Sequence, residues 1–253
     1  VDREKADEPA YPIIVDELKN AGVDASTLAA ITVDSVTPLE RNGRPTSAGH
    51  HLLALSDAEL LAAWKASEAM ESSHTMVAPA PRIARLILTN APERLGPLLG
   101  RMLSKKSLSP ELCETILKHG ADRYEEAVAS AWPHAANSHA GFQIGQVMAR
   151  HNPEKYRDKA LEYARTVLAR EKESYHHPEA AIWMIETFGE PVLAEVVALM
   201  RGWMAKAAKA GRDWQLQNNI KEIVDGAVKA LGGRALPAVL VGLESWSSST
   251  HLD

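Results

Sequence analysis

Residues 178–189 read Pro-Glu-Ala-Ala-Ile-Trp-Met-Ile-Glu-Thr-Phe-Gly, a helical segment that carries its own start and stop signals. Proline at the first helical position loses no useful N–H, and glutamate in the first turn faces the positive end of the helix dipole. Gly189 ends the segment in a tight turn. The same start recurs, each time before an apolar pattern of helical period, at Pro92-Glu93, Pro110-Glu111 and Pro153-Glu154. The sequence therefore predicts an array of helical hairpins.

Helical patterns come in pairs from residue 81 onward. The turns between paired helices lie about 30 to 43 residues apart, the repeat length of helical solenoids, and they fall at Asn90, Gly120, Asn152, Gly189 and Gly232. Each pair in such an array buries its apolar face only against its neighbours. We therefore predict an all-α chain, with a helical repeat domain over residues 76–253 and a less regular helical segment over residues 1–75.

The N-terminal segment has weaker signals. Residues 11–21 have the pattern of a short helix, residues 31–37 are rich in Val and Thr and favour an extended strand, and residues 41–45 are typical of a turn within a loop that reaches toward residue 52. The strongest helix start is a capping box made by Ser56 and Glu59, which predicts a helix to about residue 70.

Two of the turns resemble those of HEAT-like repeats. They are Ile-Glu-Thr-Phe-Gly-Glu-Pro-Val-Leu at residues 185–193 and Ala-Leu-Gly-Gly-Arg-Ala-Leu-Pro at residues 230–237, and residues 90–95 are a looser third copy. Each has an apolar helix end, glycine in the tight turn, and a small residue or proline before a leucine-rich helix. The resemblance implies a HEAT-like α-α superhelix of about five helix pairs. It also implies a binding surface or scaffold rather than an enzyme.

Composition excludes several classes of function. The chain has 28 basic and 33 acidic residues and a formal charge of −5, so no global field favours nucleic acid. The single cysteine, Cys113, excludes an internal disulfide and fits a reducing, cytoplasmic environment. No continuous apolar run approaches the roughly 18 residues that predict a membrane span. Because residue 1 is valine, we expect a processed chain or a fragment of a larger protein.

The residue patterns predict no metal or cofactor. Ten histidines are present, but two ligands on one helix face need a spacing of three or four residues, and the pairs at residues 50–51 and 176–177 are adjacent. His134 and His139 are separated by a loop and a helix start. Cys113 lies among apolar residues, which is typical of a buried, unreactive thiol. No phosphate-binding loop or dinucleotide fingerprint occurs.

Nucleic-acid binding is an alternative, because some HEAT-like proteins are alkylpurine DNA glycosylases. A site of that kind requires aromatic residues and a carboxylate, which Trp183 with Glu186 or Asp213 with Trp214 would supply. One local excess of basic residues comprises Arg82, Arg85, Arg94, Arg101, Lys105 and Lys106. The competing interpretation is that the tryptophans fill the core and the basic residues stabilise helix ends.

We predict a non-catalytic protein-binding scaffold that uses the curved face of the helical array. The residues expected to bind form a second basic run, a docking patch for an acidic protein partner, and they are Arg201, Lys206, Lys209 and Arg212. The second alternative is a structural repeat segment of a larger protein, which would expose apolar surface near Trp246. No membrane contact is expected.

Overall fold

A computed structural model describes residues 17–24, 27–28, 38–69, 79–104, 108–135, 137–170, 175–210 and 214–247. The chain is all-α, as predicted, and the exception within the described residues is one β-hairpin with strands of two residues each. It divides into two compact units, Val1–Ala136 and Asn137–Asp253. The predicted boundary near residue 75 lies outside the described residues, as do the predicted strand at residues 31–37 and the first part of the helix at residues 11–21. The described end of that helix closes at Gly22, where φ is 82°.

The first unit contains the hairpin followed by five helices of defined extent. Its elements are β1 (Glu40–Arg41), β2 (Arg44–Pro45), α1 (Ser47–Ala54), α2 (Asp57–Ala69), α3 (Pro79–Asn90), α4 (Leu95–Met102) and α5 (Pro110–Ala131). Helix α3 packs against α5 and also contacts α2 and α4. Helix α5 is bent at Gly120 (φ −148°, ψ 27°), where the sequence predicts a turn between two helices.

The predicted loop over residues 41–52 is wrong beyond Pro45. Asn42 and Gly43 form the hairpin turn with φ of 52° and 76°, and α1 begins directly afterwards. The Oγ1 atom of Thr46 accepts a hydrogen bond from the Gly49 N–H at 3.3 Å and thereby caps α1. Threonine is one of the side chains that commonly fill this position.

The predicted capping box is confirmed at the start of α2. The Ser56 N–H donates to the Glu59 carboxylate at 2.8 Å, and the Ser56 hydroxyl oxygen accepts from the Glu59 N–H at 3.3 Å. The hydrogen bonds from Ser56 lower the pKa of Glu59. Leu55 and Leu60 are both buried beside this turn, as a hydrophobic staple requires.

Arg94 joins α4 to the first two helices. Its Nε atom donates to the Asp57 carboxylate at 2.9 Å, and its two terminal nitrogens donate to the carbonyl oxygens of Leu53 and Leu55 at 2.7 and 2.6 Å. Those carbonyls lie at the C-terminal end of α1, where no further helical N–H is available to them. One guanidinium group therefore fixes the α1–α2 turn.

The second unit consists of packed neighbouring helix pairs. Its helices are α6 (Ser138–His151), α7 (Pro153–Leu168), α8 (His177–Phe188), α9 (Glu190–Ala210), α10 (Trp214–Leu231) and α11 (Leu236–Ser247). Gly189 (φ 69°) and Gly232 (φ 59°) end α8 and α10, as predicted. Each helix packs against the next one, and α8 also packs against α10 and α9 against α11. The core between them includes Phe142, Val167, Met184, Val196, Ile223 and Val241.

Candidate protein-docking face

A stripe of leucines on α11 is exposed. Leu236, Leu240 and Leu243 have exposed fractions of 58%, 47% and 56%, and their spacing of four and three residues places them on one side of the helix. The opposite side of α11 supplies the buried residues Ala238 and Val241 to the core. Helix α11 is therefore apolar on both its inner and its outer side.

An apolar groove of about 180 Å³ runs between α10 and α11, next to this stripe. Val224 of α10 and Val239 and Leu243 of α11 line it. The helices approach closely because residue 242 is glycine: a Cβ atom there would lie 3.1 Å from Cγ2 of Val224. Val228, one turn beyond Val224, is 44% exposed. We call this surface the leucine face, and its members are Val224, Val228, Leu236, Val239, Leu240 and Leu243.

Two ion pairs accompany the leucine face. The Lys221 ammonium lies 2.7 Å from the Asp225 carboxylate, and both residues also line the groove. This hydrogen bond raises the pKa of Lys221. Arg201 of α9 lies 3.6 Å from Glu244, the residue after Leu243. The apolar surface is therefore bordered by charges of both signs.

No protein-family model, curated protein or solved structure matches this chain.

The structure describes two of the four basic residues predicted to bind an acidic partner. Arg201 and Lys206 are exposed on α9, whereas the side chain of Lys209 and the whole of Arg212 lie outside the described residues. Arg201 is paired with Glu244 within the same unit. The predicted basic patch stays a prediction. Its described members lie on the helix that packs beside α11.

The residues considered for a glycosylase site differ in their burial. Trp183 packs edge-on against Phe142 and Phe188, with ring centroids 5.5 and 5.8 Å apart, at the border of the core. Glu186 of the same helix is exposed. Trp214 is 70% exposed at the start of α10, while its sequence neighbour Asp213 lies outside the described residues. Trp183 thus packs against the core, as the competing interpretation of the tryptophans expects, whereas Trp214 is exposed.

Arg85 and Arg94 of the first basic run pair with carboxylates. Arg85 lies 3.1 Å from the buried Glu40 carboxylate, and Arg94 pairs with Asp57 at 2.8 Å. Lys105 and Lys106 lie outside the described residues. Cys113 is fully buried in α5, and burial, with a smaller contribution from Glu111, raises the pKa of its thiol to about 12.

The stretch Trp214–Ser245 has the length and mean hydropathy of a membrane span, and 28% of its most apolar window is buried. The structure shows two helices in this stretch, joined by a 3₁₀ turn at Gly232–Ala235, and they pack against each other. Its apolar residues lie partly in the contact between α10 and α11 and partly on the leucine face.

Three donor side chains that the sequence does not connect meet in the second unit. His139, His176 and Glu179 each place one nitrogen or oxygen within 4.8 Å of the other two. His139 and Glu179 approach to 3.7 Å, and the two imidazole rings are stacked with centroids 3.5 Å apart. The number of histidines is the signal that the sequence offers, because His139 lies in α6 and His176 directly precedes α8, far apart along the chain.

Proposed function

We propose that this chain is a HEAT-like protein-binding module whose leucine face docks an amphipathic helix of a partner protein. The observation that carries the proposal is the exposed stripe of Leu236, Leu240 and Leu243 beside an apolar groove. Contiguous apolar surface of this kind marks interaction sites in proteins. An amphipathic helix laid along such a groove buries its apolar side chains there at intervals of three and four residues.

The packing within the second unit supports a helical partner. Helices two apart along the chain lie side by side, α8 against α10 and α9 against α11. The outer side of α10 and α11 offers a further helix the same kind of apolar surface. Leu236 and Leu243 are separated by about two helical turns, roughly 10 Å, which matches two or three anchor residues on the partner.

The experiment uses three immobilised baits: the unchanged chain, Leu240→Glu and the control Tyr175→Glu. Tyr175 is a large exposed residue outside the leucine face, at 72% exposure. Proteins retained from a lysate of the source organism are quantified by mass spectrometry, and a photo-crosslinker at residue 243 then locates the contact. We expect a protein that is retained by the unchanged chain and by the control, that is lost with Leu240→Glu, and that crosslinks through an amphipathic helix.

The other outcomes contradict the proposal, and some of them also identify a different occupant. Retention that is equal with all three baits, or an empty capture, contradicts the proposal. Retention that disappears after nuclease treatment assigns the chain to nucleic acid. Self-association abolished by Leu240→Glu assigns the face to a second copy, or to a neighbouring repeat of a larger protein. Binding to phosphatidylcholine vesicles that is lost with the same variant assigns it to a lipid surface.

A further inference from the structure

The chain brings two imidazoles and a carboxylate together at the N-terminal ends of two helices. His139 is the second residue of α6, His176 directly precedes α8, and Glu179 lies in the first turn of α8. All three side chains are half-buried. Two imidazoles and a glutamate are a donor set that zinc takes in proteins, with a fourth position left for water.

The separation of His139 and Glu179 fits two donors that share an ion better than it fits a hydrogen bond. His139 Nε2 lies 3.7 Å from Glu179 Oε2, whereas an N–H···O hydrogen bond spans about 2.7–3.2 Å. Donors at about 2.0–2.2 Å from a tetrahedral zinc ion lie roughly 3.3–3.6 Å apart. Donor atoms in the group lie up to 4.8 Å apart, so binding one ion would require side-chain rotations that shorten the widest separation by about 1 Å.

The charge of the group favours a cation over an anion. A helix N-terminus attracts anions, but here the Glu179 carboxylate already lies in the first turn of α8 and would repel one. Two neutral imidazoles and this carboxylate together carry one negative charge, which offsets half the charge of a divalent ion. Glutamate in the first turn also offsets the positive end of the helix dipole.

The backbone that presents His176 and Glu179 is held firmly. The intervening His177 is buried, its Nε2 atom lies 2.8 Å from the Arg170 carbonyl oxygen, and its ring stacks on Trp203 with centroids 4.7 Å apart. On the other side of the group, the Asn137 side chain accepts a hydrogen bond from the Ala140 N–H at 2.8 Å and caps α6. Packing and hydrogen bonds of this kind, next to the ligands, are what position a metal site.

We propose that His139, His176 and Glu179 bind one Zn²⁺ ion, with water completing the coordination. The stacked rings, now only 13° from parallel, must turn apart because the ion has to lie near the plane of each ring. The ion would then link the starts of α6 and α8. This site is independent of the leucine face.

The test measures Zn²⁺ binding to the chelator-treated full chain by isothermal titration calorimetry, and Co²⁺ binding by visible absorption. The variants are His139→Ala, His176→Ala and Glu179→Gln, and the control is His151→Ala, an exposed histidine at the other end of α6. Glu179→Gln keeps the side-chain shape, and His176 makes no side-chain cap to α8, so both variants should fold. Circular dichroism checks this.

We expect one Zn²⁺ per chain and binding at least about tenfold weaker in each ligand variant, with the control unchanged. The Co²⁺ spectrum should lose the intensity of a tetrahedral site in His176→Ala. The proposal is overturned if the unchanged chain takes up no Zn²⁺ saturably. It is also overturned if the ligand variants bind as tightly as the control.

Discussion

Gly226 of α10 lies directly against Ile182 of α8: a Cβ atom at residue 226 would be 2.6 Å from Cγ1 of Ile182. Isoleucine is branched at Cβ and has few alternative rotamers, so its side chain cannot easily move aside. The close contact between α8 and α10 therefore depends on the missing side chain.

Gly226→Ala should lower the free energy of unfolding by about 1–3 kcal/mol, because the added methyl group overpacks the contact between α8 and α10. Gly202→Ala in α9 is the matched control, since a Cβ atom there meets no atom within 4 Å. The control should raise the free energy of unfolding by about 0.5–1 kcal/mol, because alanine favours the helix. Urea denaturation measures both, and equal effects of the two substitutions would contradict the packing argument.

Arg94→Met should destabilise the first unit by about 1–3 kcal/mol. The change leaves the carbonyls of Leu53 and Leu55 without the donor that the structure shows, and it removes the pair with Asp57. Arg234→Met removes an exposed ion pair with Glu190 and should cost no more than about 1 kcal/mol. Denaturant midpoints compare the two variants. If Arg94→Met lowers the free energy of unfolding as little as Arg234→Met does, the α1–α2 turn does not depend on the Arg94 guanidinium.

Cys113 should resist thiol reagents in the folded chain at pH 8 and react once urea unfolds it. Burial raises the pKa of its thiol from 9.0 to about 12, so almost no thiolate is present in the folded state. The folded state also holds the thiol proton more tightly than the unfolded state does. Its contribution to stability is therefore complete below about pH 9 and declines as the pH rises toward 12. Ellman's reagent follows the reactivity, and fast labelling of the native chain would contradict the burial.

Leu240→Ala should lower the free energy of unfolding by less than about 1 kcal/mol, whereas Ile223→Ala should lower it by about 2–5 kcal/mol. Leu240 is 47% exposed on the leucine face, and Ile223 is fully buried in α10. Thermal unfolding of the isolated chain provides the comparison. A cost for Leu240→Ala equal to that for Ile223→Ala would show that the chain itself covers the leucine face.

Local signals were sufficient to predict most helices. The capping box at Ser56 and the glycines at residues 189 and 232 act through neighbouring backbone groups, so the sequence alone reveals them. Helix α1 is not predicted from the sequence, because it depends on contacts with residues that are distant along the chain. Gly49 in its first turn lowers helix propensity, but the fold requires glycine there because a Cβ atom would collide with the Leu39 carbonyl oxygen and crowd the Leu86 side chain.

The two candidate sites depend on packing that a single sequence does not contain. Because α11 is apolar on both sides, its periodicity does not reveal whether Leu240 or Ala238 faces the core. The donors at His139 and His176 meet only because the fold brings the start of α6 close to the start of α8. The two adjacent histidines also have different partners, which the sequence does not predict: His177 stacks on Trp203, and His176 stacks on His139.

The ion pair of Lys221 and Asp225 in the groove implies discrimination among partners. A helix that covers the groove takes both charges out of water, and removing ions from water costs free energy unless new polar contacts replace the lost hydration. An entirely leucine-rich helix provides no such contacts. A helix that carries an acidic and a basic residue one turn apart can pair with both. The groove should therefore prefer a partner helix whose apolar stripe contains these polar residues. It should bind apolar helices without charged residues more weakly.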